Sequence, residues 1–568
     1  MYLKKLSQIE LRLNKWNYQP LGYSFLKNNL KGDYMTIRIN NIVLGLDDDI
    51  EVVKKRVSKK LKVSIDEIEN FKIIKESLDA RNKNNIKFTY AVEVNHKNEK
   101  KIVDKLHDNN VKIDDTKYDP DVEPGNEKLN SRPVVVGLGP SGLFAALMLA
   151  EKGYRPLVIE RGEDVDKRTE TVKRFWDKGE LNLESNVQFG EGGAGSFSDG
   201  KLTTRIKDKR CDYVLEQLVD AGAPSEIIYE AKPHVGTDIL KDVVKNIRKK
   251  IIALGGEVMF SSKLEYINGK DGKIKSIVVN GNEIPCEALV LALGHSSRDT
   301  YEMLKEIGIF MEPKAFAVGV RIEHPQEMIN ISQYGKYHNH PRLKAADYKL
   351  TYQSKDLNRG VYSFCMCPGG VVVAASSEEN RLVSNGMSYH ARDLENANSA
   401  LVVTVSPEDF EGNDVLRGME FQRHYESLAF KLGGSNYNAP VQLLGDFLND
   451  RKSTKLGAVN PSYKPGFELV DMRGCLPNYV VEAIKEGVGN FDKKIQGYGR
   501  ADAVLTGIET RTSAPIRITR NENLESISMH GLYPAGEGAG FAGGIISAAV
   551  DGIKVAERII GKYKLINS

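Results

Sequence analysis

The chain has 568 residues, 41% apolar and 28% charged, which fits a folded protein of about three or four domains and excludes a largely disordered chain. Lys+Arg of 80 against Asp+Glu of 77 leaves a formal charge of +3, which gives no sign of nucleic acid or an anionic membrane as an obligatory partner. No run reaches the ~18 apolar residues of a membrane span, and the five cysteines are scattered, odd in number and without metal-ligand spacing.

The start, MYLKKLSQIELRLNKW, has no apolar h-region, so no secretory signal is expected and a reducing cytoplasm fits the cysteine usage. Residues 1–34 are Asn/Lys-rich and weakly patterned. They read as an extension before Met35, or equally as an amphipathic N-terminal helix. Between 35 and 118, TIRINNIVL alternates like a strand and IEVVKKRVSKKLKV has helical spacing. IENFKIIKESL and IKFTYAVEV follow as strands, then a helix through KKIVDKLHDN and a last strand VKIDD. The β-α-β-β-α-β order predicts a small ferredoxin-like α+β domain. Residues 119–130 are charged, Pro/Gly-bearing and aperiodic, and read as a linker.

The texture then changes to β-branched runs followed by helices. RPVVVGLGPSGLFAALMLAEKGYRPLVIERG places Gly137, Gly139 and Gly142 in G-x-G-x-x-G spacing between a strand and a helix. A second strand ends at Glu160. In that context Gly137 allows the tight turn, Gly139 the approach of a pyrophosphate and Gly142 close helix–strand packing. Glu160 would accept the ribose hydroxyls of an adenosine.

Two later segments favour FAD over NAD. EIPCEALVLALGHSSRD is a strand ending in small residues at Ala292–Gly294, where a chain can pass over a dinucleotide. GLYPAGEGAGFAGGIISAAVDGIKVAERI is a strand, an acidic turn and a helix. There Glu537 can bond a ribitol hydroxyl, and the helix start at Gly543, Gly544 and Ile545 can face the flavin. Too little chain follows Gly543 for a second βαβ unit, so NAD(P)H enters only as a transient donor. Between them, 301–490 holds many short strand-like runs and reads as a β-rich α+β substrate domain. The FAD domain is then discontinuous, 131–300 and 491–568, with an α/β, Rossmann-like fold.

These residues resemble the glutathione-reductase-like two-dinucleotide-fold flavoproteins. VQFGEGGAGSFSDGKLTTR, SLDARNK, VYSFCMCPGG, GGSNYNAPVQLLGDFL, MRGCLPNYVVEAI and TSAPIRITR resemble, more narrowly, a bacterial group of FAD-dependent dehydrogenases with an N-terminal ferredoxin-like domain. The resemblance implies FAD and redox chemistry on an unidentified small organic substrate. It puts Gly137, Gly139, Pro140, Ser141 and Gly142 at the pyrophosphate and Glu160 with Arg161 at the ribose. It puts Gly193, Ala194, Gly195 and Ser196 beneath the pyrophosphate and ribityl chain, and Val258 at the adenine. Gly294 passes over the dinucleotide, and Gly536, Glu537, Gly544 and Ile545 close over ribitol and flavin.

For the chemistry, Lys201 is expected near the flavin or in an ion pair with Asp199, and His234 is a proton donor or a structural histidine. Cys365 and Cys367 share a face if their run is a strand, as a redox pair or as small core residues. Pro368-Gly369-Gly370 reads as a ligand-facing turn. Arg321, Arg359, Arg473 and Arg517 are cations available to an anionic substrate. The rival readings are an RNA-acting flavoprotein, using the basic run 54–62, and a flavin-dependent monooxygenase.

Overall fold

The computed structural model describes residues 36–114, 118, 120 and 122–565. The expectations for 1–34 lie outside the described residues. Strands Thr36–Gly45, Glu69–Asp79, Lys87–Asn95 and Val111–Asp114 form one antiparallel sheet, with the third strand between the first and second. Helix Val52–Leu61 buries Val53, Val57 and Leu61, one residue per turn. Its lysines point outward, and within the run Arg56 pairs with Asp48 and Lys60 with Asp108. This domain is docked: Arg342 donates to the carbonyls of Leu46 and Asp48 and to the Tyr90 hydroxyl, and lies over the Phe88 ring. The expected linker also has partners. Gly125 and Glu127 hydrogen-bond the carbonyls of Ile560 and Lys562 at the end of the last helix.

Five three-residue strands make the second sheet, all parallel: Leu532–Pro534, Leu289–Leu291, Val134–Val136, Leu157–Ile159 and Glu257–Met259, in that spatial order. Every residue of the central three is apolar and buried, as a sheet covered on both faces requires. Helices Pro140–Glu151 and Ile545–Lys562 pack on one face in close contact. The closeness has a cause. A Cβ on Gly552 would stand 2.0 Å from the Ser141 carbonyl oxygen, and one on Gly142 1.9 Å from that of Gly137.

The largest sheet has seven strands, in the order Thr351–Gln353, Gly360–Cys367, Asn396–Val405, Phe316–Pro325, Val504–Glu509, Ala439–Leu443 and Phe467–Leu469. The boundary expected at 490 is therefore displaced. Val504–Glu509 hydrogen-bonds into the middle of this sheet, and the chain returns toward the parallel sheet only through Ile516–Ile518. The run VLTGIE is apolar and β-branched enough for either sheet, so its pattern alone left its partner open. Among the described residues no helix is long and apolar enough to cross a membrane.

Replacing Gly552 by Ala should force the two helices apart at the glycine motif. We expect a loss of roughly 1–3 kcal/mol despite alanine's better helix propensity, read as a lower urea midpoint with unchanged slope.

Candidate functional site

A cavity of about 680 Å³ lies where the carboxyl ends of the parallel strands face the seven-stranded sheet. Its volume falls within the usual range for ligand sites, and in open α/β sheets ligands bind at this edge. Val136, Ile159 and Ala292 mark the strand ends on one wall, and Ser363–Cys367 and Glu509 line the other.

The structure brings Gly137, Gly139, Pro140, Ser141, Glu160 and Arg161 to this cavity, with Gly193, Ala194, Gly195, Lys201 and Gly294. Glu537, Gly543, Gly544 and Ile545 close its far side. The glycines fall into two kinds. A Cβ on Gly137 would meet the Ala292 carbonyl oxygen at 2.3 Å, so this glycine, like Gly142, serves the fold itself. Gly139 has an ordinary φ of −74°, and a Cβ there would find no protein atom nearer than 3.8 Å. Gly543 and Gly544 are similar, with nearest atoms at 3.8 and 3.5 Å. Packing does not explain those three; a ligand lying against bare backbone does.

Two helix N-termini open onto the same space, at Pro140 and at Ile545, each offering first-turn N–H groups without intrahelical partners. The buried Ser141 Oγ has no hydrogen-bond partner. Glu160 is fixed rather than mobile: its carboxylate accepts from the backbone N–H of Leu138, Gly162 and Gly190, at 2.8, 2.9 and 2.9 Å. Arg161 forks onto Asp299 and bonds Glu184. Glu537 faces the cavity with no protein hydrogen bond to its carboxyl among the described residues. Burial pushes it up to about 7, with Lys314 opposing.

Other expected residues stand elsewhere. Gly142, Ser196 and Gly536 lie behind the cavity wall, where the Ser196 Oγ bonds the Glu191 carbonyl and Gly536 N bonds Asp551. Val258 is held in the edge strand opposite Val158, and the wall there is built by Ser262, Lys263 and Leu264 as the chain turns over the strand ends. His234 does not reach the cavity. Its Nε2 bonds the His390 carbonyl, its ring stacks on His390, and burial and Arg392 push it down to about 4, a neutral structural histidine. Lys201 lines the cavity but donates to the Met366 carbonyl, while Asp199 is held by Arg392.

Cys365 and Cys367 both line the cavity as free thiols, but a bulge between Phe364 and Cys367 breaks the strand pattern that would put them on one face. Cys365 is exposed toward the cavity, and desolvation by the surrounding walls raises its thiol. The Pro368-Gly369-Gly370 turn packs against the Arg392 carbonyl instead of a ligand. Arg359 and Arg473 are paired with Asp409 and Asp471, Arg517 lies over Phe541, and Arg321 is buried behind the wall.

Among the wall residues unread in the sequence are His295, Glu509 and Arg511. His295 directly follows Gly294, so position was its signal. Glu509 and Arg511 had none. Burial, with Arg511 and Arg298, pushes His295 down to about 3. Arg511 belongs to a fully buried charge cluster. Glu426 accepts from Arg298 Nη1 and Nη2, both at 2.8 Å, from Arg511 Nε and Nη2 at 3.2 and 3.1 Å, and from the Thr510 hydroxyl at 2.7 Å. Burial disfavours this carboxylate, but the two guanidiniums outweigh it and hold it well below the usual range. No His/Cys/Asp/Glu group among the described residues could hold a metal ion.

Residues 315–512 match the family of the FAD-dependent protein, C-terminal domain-like, and 36–95 match a domain of unknown function. A Clostridium beijerinckii protein, described as uncharacterized, is 69% identical over 531 residues, 94% of this chain and 100% of its own. The chain belongs to its family. Protein FixC of Escherichia coli K12 is 24% identical over 209 residues, 34% of this chain and 44% of its own. A glycine oxidase structure from Geobacillus kaustophilus covers 77% of this chain and 96% of its own at 10% identity, with a TM-score of 0.34.

Replacing Glu426 by Gln leaves two buried guanidiniums short of their counter-charge and should cost about 3–5 kcal/mol. The lowered carboxyl contributes stability above its unfolded pKa and loses it as pH falls. The variant's unfolding midpoint should therefore depend less on pH in the acid range than that of the wild type.

Proposed function

We propose that the chain is an FAD-dependent oxidoreductase that passes hydride between the flavin and a small organic substrate. Gly139, Gly543 and Gly544 carry the argument. They are bare backbone on a cavity wall, at two helix N-termini, where neither φ nor packing calls for glycine. On this reading the parallel sheet and its helices are a Rossmann-like FAD domain, and the N-terminal sheet is ferredoxin-like.

Gly139, the Ser141 hydroxyl, Gly193 and the N–H groups starting helix Pro140–Glu151 would hold the pyrophosphate. Glu160, already orientated by three amides, has a remaining lone pair for the adenosine ribose, and Ser262–Leu264 flank the adenine. Glu537 would bond ribitol, and the helix start at Ile545 would face the flavin ring. Bound FAD supplies the two-electron chemistry. The protein's part is to place the ring, shield it from water and stabilise the charge it gains. The described residues contain one parallel sheet of this type, so NAD(P)H, where it is the donor, would dock transiently against the flavin.

The purified protein should show flavin bands near ~450 nm that bleach on anaerobic titration with NADH or NADPH when either is the donor. Bands that persist would assign reduction to the substrate or a protein partner. Absence of flavin, even after reconstitution with FAD, would overturn the proposal. Gly139→Ala should bind FAD at least about tenfold more weakly, ~1.4 kcal/mol, with an unchanged unfolding midpoint. Gly137→Ala should lower the midpoint as well.

A further inference from the structure

One carboxyl on the cavity wall has no task in holding the cofactor. Glu509 ends the Val504–Glu509 strand, is 4% exposed and lines the cavity. No described residue donates a hydrogen bond to it. Its Oε2 is enclosed and unpartnered, with Arg321 Nη1 3.6 Å away. Arg321 is anchored from its other side: Nη2 donates to the Cys365 carbonyl at 2.9 Å and to Asn398 Oδ1 at 2.6 Å. Its Nε and Nη1 remain without hydrogen-bond partners. A guanidinium held on one edge and open on the other keeps a cation beside the carboxyl without saturating it.

On its own strand Arg321 also faces the buried Glu323, raised by burial with Arg321 opposing, and Asp199, Lys201 and Arg392 lie beyond the two thiols. Cys365 and Cys367, from strand Gly360–Cys367, and Tyr348, beyond Arg321, are all raised by desolvation and neutral near pH 7. Arg511, two residues on, is committed to Glu426. Arg321 is therefore the charge that meets Glu509. Burial pushes the carboxyl up to about 7, with Arg321 opposing. A group so balanced both gives and accepts a proton near neutrality. The other wall candidates are weaker: His295 is too weak a base, and Lys201 is tied to a carbonyl.

We propose that Glu509, positioned by Arg321, is the acid–base residue of this cavity, acting on substrates with an O–H or N–H on the carbon that is oxidised. The proposal rests on the flavin reading above. In the oxidative direction the O–H or N–H bond breaks and its proton goes to the Glu509 carboxylate. The C–H bond on the same carbon breaks, and its hydrogen leaves with both electrons for the flavin. A C=O or C=N bond forms; the substrate loses two electrons and the flavin gains them.

The test needs no identified substrate. In the protein without FAD, a carboxyl with a raised pKa contributes stability below its unfolded pKa and loses it as pH rises through about 7. The wild-type unfolding midpoint should fall over that interval, and Glu509→Gln should lose that part of the fall. In the FAD-loaded protein, the flavin midpoint potential is measured against pH by dye equilibration. Negative charge gained by the flavin draws a proton onto Glu509, so the wild-type slope should be steeper near neutrality than that of Glu509→Gln. Glu509→Asp should restore the steeper region at a shifted pH. Arg321→Met, which removes the opposing cation, should move it to higher pH. A flavin-loaded Glu509→Gln protein with the wild-type slope, or an Arg321→Met protein with an unmoved break, would overturn the role of Glu509. Failure to bind FAD at all would overturn the flavin reading instead, and the cofactor-free measurement separates the two.

Discussion

The distance between the two large sheets is set by a buried charge cluster. Arg298 comes from the helix that follows the parallel sheet, Glu426 from a helix on the seven-stranded sheet, and Arg511 from the segment returning between them. Pairs of this kind rarely add net stability over apolar side chains of the same size, because desolvation offsets most of the attraction. Their effect is on geometry. Two guanidiniums, the Glu426 and Glu378 carboxylates and the Ser296, Ser377 and Thr510 hydroxyls bond one another in one arrangement, and a shift of either sheet would leave a buried charge without its partner. Arg511 and Ser296 are also cavity-wall residues, so the same arrangement fixes the cavity's width.

Within that frame the backbone, more than the side chains, shapes the glycine-lined wall of the cavity. Gly137, Gly142 and Gly552 allow strand, turn and two helices to approach within carbonyl contact, which brings the first turn of helix Pro140–Glu151 to the strand ends. Gly139, Gly543 and Gly544 then leave that turn and its counterpart at Ile545 uncovered. The first group is needed for the fold and the second for access. One glycine-rich pattern therefore encodes two different physical requirements.

This division explains what was legible in the sequence. The glycine motif, the strand ending at Glu160 and the Gly543–Ile545 helix start have local signatures, and the structure places them on one cavity. The six elements of the N-terminal domain were legible because their hydrophobic periods are regular: Val53, Val57 and Leu61 line one helix face. Strand Val504–Glu509 was assigned to the wrong domain because an apolar run carries no information about which sheet edge receives it. Val258 was misplaced for a related reason, since a strand's pattern does not say where the chain turns over its end. Glu509 and Arg511 have no sequence signal at all, and Arg321 was legible only as one cation among several. Their roles come from partners far along the chain, and pairing across strands is a property of topology.

The charges on the cavity wall follow from enclosure. Two of its carboxyls, Glu509 and Glu537, are pushed up to about 7, each opposed by one cation, Arg321 and Lys314. Glu160, by contrast, is held in place by three backbone N–H bonds. The wall thus has one carboxyl fixed by backbone N–H groups and two raised by enclosure. Two helix N-termini add positive potential to that of the lysines and arginines on the wall. A ligand bringing negative phosphates meets dipoles that need no reorganisation, and a carboxyl that can take up a proton limits the charge accumulated as electrons arrive.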